Sequence, residues 1–343
     1  MTPTSHPGGK PEHSAEVSPS PGRSAPFGSG SVSVRLYPHN ELPAAAIVRE
    51  ICAQASLALD SGFDGVMTSE HHGGFAGYMA QPLQMASFIL EENTTGWAAA
   101  APLLLPLRST ALVAEEVAWL QARHGPRVGL GVAAGALPLD FEVAGVSQAE
   151  AVGRFKTELP QLVAMLRGEE LGDLDGDPAL LACRRSPVPV LSAAVSVAAA
   201  VRAARCGAGI LMEGMSTPQR LAGLTRAFDE AGGSVAKVLI RRVWLGRVRT
   251  GLVDSQRAVY ESYAAPATSF GEDQTIASDE PDDVVQRLAA TARDVGADAL
   301  NLRVQLPGMS PEDVREQIAR IGSTVVRPLK EELARSGIER PSN

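Results

Sequence analysis

Eight times along its length the chain passes from a short apolar run into a longer stretch with helical periodicity. A strand buried on both faces reads as a short, nearly continuous apolar run, and a parallel neighbour is reached by a crossover that is usually a helix. Repeated strand-then-helix units therefore predict an α/β protein with a parallel sheet, and eight of them match a closed (β/α)8 TIM barrel. The runs fall at about residues 32–37, 64–68, 97–102, 127–132, 188–191, 209–212, 237–246 and 298–304. Helices are expected over about 43–60, 80–91, 109–124, 148–167, 195–206, 218–231, 253–264 and 281–295, with a last one from Pro311 past Lys330. Gly62 supplies the left-handed end of the first helix. An open, doubly wound sheet fits less well, because no G-x-G-x-x-G follows the first run.

Between these units lie three irregular stretches: a loop over 133–146, a polar segment over 168–187 with a hairpin turn expected at Asp175-Gly176, and a loop over about 262–278. The last is a candidate lid or a plain connection. Residues 1–30 are rich in Ser, Pro and Gly and carry almost no large apolar side chain, which predicts a disordered tail ahead of a barrel domain over 31–343. Aromatic residues are only 4% of the chain although hydrophobic residues are 45%, so Ala, Val and Leu must fill the core.

A formal net charge of -8 argues against a nucleic-acid partner. The basic pairs Arg184-Arg185 and Arg241-Arg242 are isolated and read as surface or barrel-rim charges. Cys52, Cys183 and Cys206 are far apart, form no C-x-x-C and suit free thiols in a reducing compartment. No apolar run reaches the ~18 residues of a membrane span, and no signal pattern opens the chain. A soluble, cytoplasmic protein is the expectation.

In a barrel of this kind, working residues sit at the C-terminal ends of strands. Glu70-His71-His72 follow the second run immediately and are succeeded by Gly73-Gly74, in a loop too polar to pack deeply. Neighbouring imidazoles on an extended segment point to opposite sides, so a shared metal is not expected, and no H-E-x-x-H helix exists. Two readings remain for the pair: structural hydrogen bonding to loop carbonyls, or general acid–base work near neutral pH.

The segment Gly62-Phe63-Asp64 leading to Glu70-His71-His72 resembles the opening of the luciferase-like monooxygenase family. The resemblance continues at Leu105-Pro106, Ala114-Glu115-Glu116, Gly131 through Gly135 to Asp140-Phe141, Gly145-Val146, Pro189-Val190, Ser196 to Gly207 and Pro281 to Leu329. It implies a barrel that binds reduced FMN, reacts it with oxygen and oxidises a substrate through a flavin peroxide. The missing dinucleotide fingerprint points to a separate flavin reductase as the source of reduced FMN, and the Ala-lined stretch from Ala133 to Leu137 leaves room for a small, apolar organic substrate. It further implies His71 as a base near the flavin, with Glu70 and His72 shaping the same pocket, and it suggests a homodimer through the second and third helices. Asp140 matches an acidic position of the family or caps its own turn. Arg154 falls near a phosphate-pairing Arg, or is a surface arginine. Ser196 opens a helix whose N-terminus can seat a phosphate. Ala101-Pro102 matches a cis peptide against the flavin, where a proline makes that isomer cheap.

The chain also departs from the family. Ala133-Ala134 replace a Cys and a phosphate-holding Arg, so Ala134 lies on the cofactor site without a charge. Val195 replaces an acidic residue, and Ala198-Ala199 replace hydroxyl residues. One lost guanidinium contact is worth about 1.5–3 kcal/mol. Two further readings follow from this: hydride transfer with a deazaflavin coenzyme on the same barrel, and a non-catalytic flavin-binding or dimer-partner protein.

Overall fold

The computed structural model describes residues 25–75, 77–263 and 274–335, with backbone only over 259–263. Its strands are β1 (Val32–Arg35), β2 (Gly65–Thr68), β3 (Trp97–Leu104), β4 (Val128–Ala133), β5 (Val190–Ala193), β6 (Gly209–Met212), β7 (Lys237–Leu245), β8 (Ile276–Ser278) and β9 (Ala299–Arg303). Every pairing between them is parallel. β1 through β7 pair in sequence, and β9 joins β7 to β1, so eight strands close into a TIM barrel. β8 stands outside that circuit, paired only with the end of β7 at Val243 to Leu245.

Around the barrel run α1 (Ala44–Asp60), α2 (Pro82–Glu92), α3 (Thr110–His124), α4 (Pro138–Ala144), α5 (Gln148–Met165), α6 (Pro178–Ala182), α7 (Val197–Cys206), α8 (Pro218–Glu230), α9 (Thr250–Tyr263), α10 (Pro281–Val295), α11 (Pro311–Ile321) and α12 (Arg327–Arg335). A five-residue π-helical turn, Gly322–Val326, joins the last two. Lys330 Nζ then reaches Asp64 Oδ1 at 2.6 Å and ties the C-terminal helix to the entry of β2. No described helix is long and apolar enough to cross a membrane.

Strand alternation puts Trp97, Ala99 and Ala101 of β3 inside the barrel with Met67, Leu191, Leu211, Val238, Ile240 and Ala299. The N-terminal side is plugged by two of the few aromatic rings, Trp97 and Phe27, whose centroids are 5.2 Å apart in edge-to-face contact. Glycines make the room: a Cβ at Gly65 would lie 2.1 Å from the Trp97 ring, and one at Gly129 would lie 2.6 Å from Phe27.

Phe27 changes the expected start of ordered chain. It belongs to the segment expected as a tail to residue 30, yet it is buried, and Gly30 N donates to Asp298 O at 2.7 Å. A single large ring in an otherwise Ser/Pro/Gly segment suffices to anchor it in the barrel. Residues 1–24 of that expected tail lie outside the described residues.

Three local expectations are corrected. The loop over 133–146 contains α4, begun by Pro138 at its first position and ended at Gly145 in the left-handed conformation. The hairpin at Asp175-Gly176 does not form: a 3-10 turn, Gly172–Leu174, leads into α6, where Asp177 caps the amides of Ala179 and Leu180 at 2.8 Å. The stretch expected as a lid ends in β8, and its residues 264–273 lie outside the described residues.

Candidate active site

Beyond β2 the chain turns across the barrel mouth and is pinned from two sides. Glu70 N donates to Pro102 O on β3, and Met79 N returns to Ser69 O, closing the loop. Gly73 and Gly74 have φ of 65° and 75°, and a Cβ at Gly73 would lie 2.5 Å from Leu139 on α4. The diglycine therefore lets this loop lie against α4. That contact delivers Asp140.

Asp140 is fully buried, and its two oxygens meet successive residues: Oδ2 faces His71 Nδ1 at 2.7 Å, and Oδ1 accepts from His72 N at 2.7 Å. Of the two sequence readings for Asp140, the geometry favours the reach across the mouth, since its side chain does not cap α4. The His71 ring forms a three-ring cluster with Phe75 and Tyr78, with centroids 5.0 and 4.5 Å away. Fixed at Nδ1 and packed against these two rings, the imidazole has Nε2 left for chemistry.

His72 belongs to a second carboxylate. Its Nε2 lies 3.0 Å from Glu70 Oε1, which also accepts from Arg108 at 2.5 Å, while Glu70 Oε2 accepts from Leu104 N at 2.5 Å. The hydrogen bond to Glu70 is the main cause that raises the His72 pKa above 6.5; burial and Arg108 oppose it, and the charges of Glu70 and Asp140 add to it. The adjacent imidazoles thus engage different carboxylates, as expected for neighbours on extended backbone.

Arg108 was not singled out from the sequence. It follows a 3-10 turn after β3, and its partner Glu70 is 38 residues away in sequence. Ser69 was also missed: it continues the inward side of β2, is 2% exposed, and its Oγ has no partner among the described residues. Across the barrel, Arg35, Arg303 and Arg242 are register neighbours on β1, β9 and β7 and line the interior together. Arg35 Nε donates to Asn301 Oδ1 at 2.9 Å, and the Arg303 guanidinium lies 5.3 Å from the Tyr37 ring centre.

The remaining candidates are distributed around the β3–β5 side. The Ala101-Pro102 peptide is cis. Ala134 follows β4 at the mouth. Ser196 caps α7 with its own side chain, accepting from Ala199 N at 3.3 Å. Arg154 pairs with Glu158 at 3.0 Å and donates to Arg108 O at 3.4 Å. Among the described residues no hydrogen bond joins Arg154 to Ser196.

These surroundings fit the flavin implied by the resemblance at one end better than at the other. Ala99, Ala101 and Gly131 make a wall without large side chains, where a Cβ on Gly131 would already lie 2.8 Å from Ala101. The unpartnered Ser69 hydroxyl offers this wall a buried polar atom. On the phosphate side the α7 N-terminus offers backbone amides and Ser196, but Val195 and Val197 stand exposed beside them.

The family model of luciferase-like monooxygenases matches residues 32–327. No curated protein sequence matches the chain. Solved structures with the same fold include the monooxygenase RslO1 from Streptomyces bottropensis, at 19% identity and a TM-score of 0.68, covering 87% of this chain and 99% of that one. They also include the oxygenating constituent of 3,6-diketocamphane monooxygenase from Pseudomonas putida in complex with FMN, at 17% identity and a TM-score of 0.67, covering 87% and 98%. An F420-dependent secondary alcohol dehydrogenase matches at 14% identity and a TM-score of 0.64, again covering 87% and 98%. Because the family match runs from the first barrel strand to the start of the last helix, the chain belongs to the luciferase-like monooxygenase family.

Proposed function

We propose that this enzyme is a flavin-dependent monooxygenase that uses reduced FMN and oxygen to oxidise a small organic substrate, with His71 as its base. The Asp140–His71 contact carries the reading. A buried carboxylate at Nδ1 favours the tautomer with its proton there, so Nε2 keeps a lone pair and accepts a proton at the barrel mouth. Reduced FMN, when bound, supplies two electrons, so that one oxygen atom enters the product and the other leaves as water. His72 and Glu70 hold the loop and shape the pocket. Ser69 Oγ would hydrogen-bond the polar edge of the ring, and the Ala99–Ala101–Gly131 wall would exclude water from one side of it. Ser196 and the α7 amides would take the phosphate, with Arg154 held nearby through Arg108.

Without a dinucleotide fingerprint, reduced FMN is supplied by a separate flavin reductase in the cytoplasm. Phe88 on α2 and Leu112 and Trp119 on α3 are exposed, and these helices supply the face for a homodimer.

The sparse phosphate end favours a second reading, hydride transfer with a deazaflavin coenzyme. Oxygen uptake separates the two, because hydride transfer consumes none. Titration with oxidised FMN, reduced FMN and the deazaflavin coenzyme, followed by oxygen uptake with saturating reduced FMN, tests both. Binding of reduced FMN with oxygen consumption supports monooxygenation; binding only of the deazaflavin supports the second reading. Flavin binding without turnover leaves a non-catalytic partner protein, and absence of all binding overturns the assignment.

A further inference from the structure

The basic pair Arg241-Arg242, read from the sequence as surface or rim charge, divides between the two faces of β7. Arg242 continues the inward side of Val238 and Ile240, whereas Arg241 turns outward with its register neighbour Leu302. Arg241 is nevertheless only 1% exposed. Its Nη1 donates to Gly214 O at 3.1 Å, while Nε and Nη2 are buried without a partner among the described residues. Glu213 acts on it only through space; its carboxylate accepts from Met215 N.

Those two nitrogens lie along one edge of the guanidinium, the edge that donates two parallel hydrogen bonds to a carboxylate or phosphate. The same edge is satisfied elsewhere in this protein, where Arg315 Nε and Nη2 grip the two oxygens of Glu50. A buried guanidinium without such a partner is costly to keep. Arg241 borders a cavity of about 320 Å³ between β7, β8 and α10, lined also by Thr275, Ile276, Arg287, Thr291 and Asp294. Of the two arginines that line it, Arg287 is already paired with Asp283 at 3.5 Å, and Arg287 and Asp294 both lie on the solvent side, so Arg241 is the buried cation that faces the cavity.

We propose that this cavity binds a small organic oxyanion, a carboxylate or a phosphate monoester, whose head takes the Nε–Nη2 edge of Arg241. The volume exceeds that of a bare ion, holding the space of about ten waters at ~30 Å³ each. Thr275 and Thr291, whose hydroxyl donates to Arg287 O at 2.7 Å, border the space left for the rest of the molecule. The site is separate from the barrel mouth, although Thr275 Oγ1 also accepts from Arg242 Nη1 at 3.4 Å and so joins the two walls.

Calorimetric titration of the full chain with inorganic phosphate and, separately, with acetate, at ionic strength matched with chloride, tests the assignment and distinguishes the two head groups. Saturable binding of at least one probe, weakened tenfold or more in Arg241→Met, is expected. No saturable binding, or equal binding in Arg241→Met, overturns it. If Arg241→Met does not fold, Arg287→Gln and Thr291→Val carry the test, and unchanged affinity in both overturns it.

Discussion

Asp140 binds the His71 ring through one oxygen and the His72 backbone through the other, each at 2.7 Å. One buried carboxylate therefore sets both the tautomer of the base and the path of its loop. Asp140→Asn keeps the volume but offers an amide that can reverse the tautomer. Oxygen-coupled turnover with saturating reduced FMN should fall by roughly 10²–10⁴-fold, the range of general acid–base catalysis, while flavin affinity stays near that of the parent. His71→Ala should fall comparably, and an unchanged rate there would remove His71 from the reaction.

His72 gives a pH dependence of known sign. Its pKa in the folded protein is raised above 6.5, chiefly by Glu70. The protonated form is thus favoured by folding, and its stabilisation is fully present below the unfolded value and lost as pH rises through the higher folded value. The melting-temperature difference between parent and His72→Gln should be greatest on the acid side of 6.5 and shrink as the solution becomes alkaline. A difference that grows with pH would contradict the Glu70 pairing.

Arg108 supports the same cluster from the end of the turn that follows β3. Glu70 is buried, and removing one partner from such a pair leaves an uncompensated charge costing ~3–5 kcal/mol. Arg108→Met should lose stability on that scale in urea unfolding. Glu70→Gln, which removes the charge and keeps the shape, should lose less. If the two variants are equally destabilised, the ion pair is not what holds the loop.

Much of the barrel was legible because each strand is a compact apolar run beside a helix with its own periodicity. Glu70-His71-His72 was legible because strand ends are where polar clusters are conspicuous. What escaped depends on contacts between distant residues. Arg108 looks like any charge after a Leu-Pro-Leu turn until the barrel sets Glu70 against it. Ser69 differs from its strand neighbours only in being left without a partner, which no sequence shows. α4 is too short to display a helical period, and the three residues of β8 are held mainly by the end of β7. Arg241 and Arg242 read alike as neighbours in sequence; only the alternation of β7 sends them to opposite faces.

The N-terminal plug makes a packing prediction. Trp97 fills space that Gly65 leaves open, Phe27 fills space that Gly129 leaves open, and the two rings meet edge to face. Trp97→Ala should cost ~3–5 kcal/mol, as large-to-small core substitutions of this size do. Gly65→Ala should also destabilise, because its Cβ would lie 2.1 Å from a ring that is enclosed on all sides. Deleting residues 1–24 should leave the melting temperature little changed, whereas deletion through Phe27 should lower it. Equal effects of the two deletions would show that Phe27 is not the anchor.

The phosphate end offers the most direct control over cofactor choice. Ala134 follows β4, and the α7 N-terminus follows the adjacent β5, with Val195 and Val197 exposed beside it. A guanidinium introduced by Ala134→Arg would stand at the mouth, on the same side as the α7 amides and Ser196. One charged hydrogen bond of about 1.5–3 kcal/mol corresponds to roughly a 10- to 100-fold gain in FMN affinity. Riboflavin has the same ring without the phosphate and should gain nothing. Fluorescence titration of both ligands against both proteins isolates the phosphate contact from any change in the ring pocket. An equal gain for riboflavin would mean that the new side chain acts on the ring, and no gain for either would place the phosphate away from α7.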